Sequence, residues 1–122
     1  LSTAHASFKS RTYTTPLENQ LKQLHLEISN SLEQKHSIAR CAKQLNISES
    51  YFQLIYKKLF GISFQQDLIL MRVTRARFNL STSNLSLSQI AEFCGYNNEV
   101  HFYRQFKKLT GVTPAQYRKH PF

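Results

Sequence analysis

Two stretches of the chain repeat one another. Ala91, Gly95 and Tyr96 follow Ala42, Asn46 and Ile47 at an interval of 49 positions. Phe102, Phe106, Lys107, Lys108, Leu109 and Gly111 follow Phe52, Tyr56, Lys57, Lys58, Leu59 and Gly61 at an interval of 50. The one extra residue of the second copy falls between these two sets, in a turn. A chain built this way folds as two similar small units, each with its own apolar cluster.

Within the first copy, two helices of unequal length meet at Asn46, a residue type that tolerates the left-handed backbone of a tight turn. Ser48 can cap the second helix. Ala42 lets the two helices cross closely, while Cys41, Leu45, Ile47, Phe52 and Ile55 supply the apolar set. This is the helix-turn-helix pattern, whose second helix suits a DNA major groove.

The rest of the chain is helical too. It has only three Gly and three Pro, its apolar residues recur at three and four positions, and no segment alternates as a strand does. Residues 1–15, rich in Ser and Thr and without period, read as a linker from a longer protein or an expression remnant. Thr15, Pro16 and Glu18 form a helix start, and Leu17, Leu21, Leu24, Ile28 and Leu32 predict a helix over 16–34. Residues 63–80 predict one long connecting helix with Phe64, Leu68, Met71, Ala76 and Leu80 available for burial, and 81–86 a polar break. Thr113 and Pro114 open a short last helix anchored by Tyr117, with Arg118 and Lys119 at its basic end. The expectation is an all-α domain over 16–122 with about seven helices: a first helix-turn-helix unit over 16–61, a linker helix over 63–80 and a second unit over 86–120.

Sixteen Lys and Arg against seven Asp and Glu leave a formal charge of +9, which points to a polyanionic partner, nucleic acid before membrane. No apolar run is long enough to cross a bilayer, and the chain reads as cytoplasmic. Cys41 and Cys94 have no metal-ligand spacing and read as buried free thiols. Neither they nor His36 and His101 make a catalytic constellation, so neither an enzyme nor a cofactor is expected. The competing classes are a helix-turn-helix protein-interaction module and a nonspecific nucleic-acid binder; the paired basic repeat favours double-stranded DNA over both.

On the first reading helix, over about 48–60, Phe52, Ile55, Tyr56 and Leu59 fall on the buried face. Ser50, Gln53 and Leu54 then become the candidates for base contact: Gln pairs bidentately with adenine, and Leu meets a thymine methyl group. On the second, over about 98–110, Phe102, Phe106 and Leu109 are expected inside and Glu99, Val100, His101, Tyr103 and Arg104 outside. Arg104 is the candidate for guanine; Glu99 either accepts from cytosine or orients a basic neighbour. Lys57, Lys58, Lys107 and Lys108, at one point of both copies, are candidates for phosphate. Tyr51 and Tyr56 read as packing residues and Arg72 as structural.

The stretch IAEFCGYNNEVHFYRQFKKLTGVTPAQYR resembles the AraC/XylS family of transcription regulators, with Ile90, Ala91, Gly95, Tyr96, Phe102, Arg104, Phe106, Lys107, Gly111, Thr113, Pro114, Tyr117 and Arg118 in the familiar order. Ala42, Ser48, Phe52, Lys57, Lys58, Gly61, Phe64, Leu68, Arg72, Ala76 and Leu80 match its first half more loosely. The resemblance implies a seven-helix domain whose two second helices enter successive major grooves on one side of the duplex. It also implies a parent protein with an N-terminal sensing or dimerising domain and RNA polymerase as a partner. Gln53 and Leu54 depart from the Ser or Gln followed by Arg of many relatives, which makes the first helix's leading contact apolar or weaker. Glu99, Val100 and His101 are an unusual combination.

Overall fold

The computed structural model describes residues 15–122, so all but the last residue of the expected linker lies outside the described residues. Seven α-helices follow in order: α1 (Pro16–Ser29), α2 (Ile38–Leu45), α3 (Glu49–Phe60), α4 (Phe64–Thr82), α5 (Leu87–Phe93), α6 (Glu99–Thr110) and α7 (Pro114–Lys119). No strand occurs among the described residues.

The helix starts follow from side-chain chemistry. Thr15, Ser37, Ser48, Ser63, Ser86, Asn98 and Thr113 each accept a hydrogen bond from the backbone N–H three residues on, satisfying one of the donors that a helix start leaves free. The stops are as local: α3 and α6 end at Gly61 and Gly111, whose N–H groups bond the carbonyls of Lys57 and Lys107 at 2.8 Å from left-handed backbone at φ 75° and 84°.

Burial sorts the chain into two cores. Leu21, Leu24 and Ile28 of α1, Leu32, Cys41 and Ala42, Phe52 and Tyr56 of α3, and Phe64 and Leu68 of α4 make the first. Val73, Ala76 and Leu80 of α4, Ile90, Ala91, Cys94 and Tyr96, Phe102 and Phe106 of α6, and Tyr117 make the second. Helix α4, 19 residues and so about 28 Å long, serves both: its first half closes the core of α1–α3, and its second half takes the part that α1 plays in the first unit. Arg118 of α7 fastens the far end of α4 by donating to the carbonyls of Leu80 and Ser83, both at 3.3 Å.

Two expectations need correction. The first helix stops at Ser29, not at 34: Asn30 N–H still bonds back to Leu26, the chain then turns, and Leu32 reaches the core from that turn, 2% exposed. The apolar period thus outlasts the helix. Leu109, expected inside, is 50% exposed.

Candidate nucleic-acid interface

The two turns are built alike down to the hydrogen bonds. In the first, Ile47 N–H bonds Ala42 O at 3.0 Å and Asn46 N–H bonds Lys43 O at 3.1 Å. In the second, Tyr96 N–H bonds Ala91 O at 2.9 Å and Gly95 N–H bonds Glu92 O at 3.0 Å. These are the paired bonds of a Schellman stop, which require a left-handed residue at the turn; Asn46 has φ 60° and Gly95 φ 92°. The extra residue of the second copy lies between Gly95 and the next cap, Asn98.

Helices α3 and α6 are both 12 residues long, begin at Glu49 and Glu99, and end against Gly61 and Gly111. They are in identical register, so Ser50, Gln53, Leu54 and Lys57 correspond to Val100, Tyr103, Arg104 and Lys107. The inward faces pack rings: Phe52 and Tyr56 meet Phe64 edge-on at 5.4 and 5.3 Å, and Phe106 meets Phe102 and Tyr117 at 5.8 and 5.6 Å. With that face fixed, the opposite face must turn outward. Ser50, Gln53, Leu54, Lys57 and Lys58 are exposed on α3, as are Glu99, Val100, His101, Tyr103, Arg104, Lys107 and Lys108 on α6.

These exposed faces are chemically uncommitted. Among the described residues the one ion-pair geometry between side chains joins His25 to Asp67, so no Lys or Arg lies within 4.0 Å of an Asp or Glu carboxylate. Glu99 stands in the first turn of α6, where the helix dipole favours a carboxylate, and it pairs with no basic neighbour. His101 is the exception to the open face, its ring lying edge-on to buried Tyr96 at 5.6 Å and 82°. Tyr96 in turn donates its hydroxyl to Gln105 Oε1 at 2.6 Å. The exposed apolar side chains Leu54 (65%) and Val100 (60%), among others, stand on the same outward faces as the basic residues.

Beneath the first helix, Tyr56 is fully buried as expected and donates to Asp67 Oδ2 at 2.6 Å. Tyr51 is not a core residue; it is 46% exposed and lines a groove with Leu17, Leu21 and Lys58. Arg72 is structural, donating from Nη2 to the carbonyl of Gln34 at 3.3 Å. Cys41 and Cys94 are buried free thiols. No group of three or more His, Cys, Asp or Glu among the described residues could hold a metal ion, and no helix there is long and apolar enough to cross a membrane.

A helix-turn-helix domain family matches residues 41–120, from α2 to the end of α7. The C-terminal domain of AraT, a response regulator from Geobacillus stearothermophilus, superposes with a TM-score of 0.78 at 32% identity, over 86% of this chain and 85% of that one. The chain belongs to the AraC/XylS family of transcription regulators. It is a sequence-specific DNA-binding domain of that family of transcription regulators. The DNA-binding domain of AdpA, a global transcriptional factor solved in complex with a target DNA, also superposes at a TM-score of 0.78, with 27% identity over 81% of this chain and 89% of that one. The Msm operon regulatory protein of Streptococcus mutans is 29% identical over 112 residues, 91% of this chain and 39% of that protein. The chain therefore spans well under half the length of that AraC-type relative.

The repeat continues past Gly61 and Gly111. Ile62 and Ser63 are matched 50 positions later by Val112 and Thr113, and Ser63 and Thr113 cap α4 and α7 through the N–H of Gln66 and Gln116. The signal was the Gly, branched aliphatic and hydroxyl run in both copies.

Proposed function

We propose that the domain reads a bipartite duplex site, with α3 and α6 lying in successive major grooves. The observation that carries this reading is the identical register of the two helices: each turns an unpaired, exposed face outward at the same positions of the repeat. The superposition on the DNA-bound AdpA domain supports it, because a match over 81% of this chain takes in both units.

In this reading Ser50, Gln53 and Leu54 approach bases from α3, with Gln53 directed to adenine and Leu54 to a thymine methyl group. From α6, Arg104 pairs with guanine, and Glu99, Val100, His101 and Tyr103 form the surrounding contact. Lys57, Lys58, Lys107 and Lys108 neutralise phosphates, positioning the helices without choosing sequence. The parent protein adds an N-terminal sensing or dimerising domain, engages RNA polymerase, and works in the bacterial cytoplasm where its DNA is.

Replacement of Arg104 tests the assignment. Arg104→Ala is expected to cost about 1–3 kcal/mol in binding and to relax selectivity at one base pair, whereas Lys107→Ala weakens all sequences about equally and lowers the salt dependence. Unchanged affinity and selectivity in Arg104→Ala would remove α6's leading contact from the account.

A further inference from the structure

The two units touch each other away from the axis of α4. A Cβ on Gly95 would stand 2.1 Å from the carbonyl oxygen of Leu32 and 2.9 and 3.0 Å from Nε and Nη2 of Arg72. Leu32 belongs to the first core, and Gly95 is the turn of the second helix-turn-helix. The backbone of one unit thus rests directly on the backbone of the other, with the Arg72 guanidinium beside the contact.

The segment that receives Gly95 is itself held. Arg72 Nη2 donates to Gln34 O, and Arg75, one turn along α4, donates to Ser29 O at 3.0 Å. Arg72 Nε is buried without a hydrogen-bond partner, a costly arrangement that persists only where the surrounding packing fixes the side chain. Gly61 and Gly111 share the left-handed φ, but a Cβ on either would meet nothing within 4 Å. Crowding, not the turn alone, sets Gly95 apart.

We propose that Gly95, Leu32 and Arg72 form a clasp that locks the two helix-turn-helix units at one angle and separation, and that Arg72 and Gly95 are thereby positioning residues that restrict the domain to one spacing between its two half-sites. This rests on the two-groove reading. One inserted base pair turns a half-site by about 34° around the duplex and moves it about 3.4 Å. A rigid pair of readers cannot follow that displacement without deforming the DNA or giving up one set of contacts. Removing the guanidinium, or forcing the Leu32 carbonyl away from the turn, lets the second unit move about the α4 connection.

The test compares duplexes carrying both half-sites at the preferred spacing and with one base pair added or removed. The wild-type domain is expected to lose about tenfold or more in affinity on either change, a loss like that of a mismatched base pair. In Arg72→Ala and Gly95→Ala that penalty falls to less than about threefold, while Gly111→Ala, with the same φ strain and no crowding, keeps the full penalty. Residual dipolar couplings on the DNA-free domain supply the second readout: one alignment tensor fits both units in the wild type and Gly111→Ala, and two are needed in Arg72→Ala. Should Gly95→Ala not fold, Arg72→Ala carries both measurements. An Arg72→Ala domain that keeps the wild-type spacing penalty and a single tensor overturns the clasp. If the wild type shows no second half-site, the two-groove reading and the spacing role fail together, and a single tensor in Arg72→Ala would deny the clasp any mechanical role as well.

Discussion

The buried groups under α3 and α6 decide how the domain responds to alkali. Burial pushes the Cys94 thiol up to about 11 from 9.0, although Arg75 and Arg72 oppose it, and it pushes the Tyr96 phenol up to about 12 from 10.0. Tyr56 moves the same way, first through burial and then through its bond to the Asp67 carboxylate. A raised value means that the folded state holds its proton longer than the unfolded chain, so the stability these groups contribute is complete below pH 9 and falls as the pH rises. For Cys94 the loss runs from its unfolded value of 9.0 to about 11 and amounts to about 2–3 kcal/mol. Urea melts of Cys94→Ala across pH 7–11 should show a deficit that is constant below pH 9 and narrows above it, because the variant's alkaline decline is the shallower; an equally steep decline would place the titration elsewhere.

At the scale of the element, the caps were legible because they are local chemistry. Thr15, Ser48 and Thr113 announced helix starts, and Asn46 a turn, from residue type and spacing alone. The end of α1 was not legible, since Leu32 continues the apolar period although the chain has already left the helix at Asn30. Leu109 likewise departs from the pattern: the helical period puts it near the inner face, yet it is 50% exposed. The register of α3 and α6, and hence which residues face outward, could be read from the repeat, whereas the contact of Gly95 with Leu32 joins residues 63 positions apart and leaves no trace in local pattern. The turn conformations make a direct prediction. Gly61→Ala and Asn46→Val should each destabilise by about 1–2 kcal/mol, because a side chain with a Cβ, and above all a branched one, resists left-handed backbone. Asn46→Gly should change stability by less than about 1 kcal/mol. Chemical denaturation checks all three, and a Val at 46 without cost would mean that the turn is not left-handed in solution.

At the scale of the whole molecule, two compact cores share one helix, the chain carries a formal charge of +9, and among the described residues no Lys or Arg is paired with an Asp or Glu. Each unit alone turns a single short helix outward. Joined through α4, they present two in the same register, which is what a bipartite site demands and a nonspecific cation does not. The most direct measurement is selection of binders from a randomised duplex pool at near-physiological salt, followed by sequencing of the enriched duplexes. Base reading by both α3 and α6 predicts two short, non-identical blocks with centres about one helical turn, roughly 10 base pairs, apart. A single enriched block, or none, would contradict it.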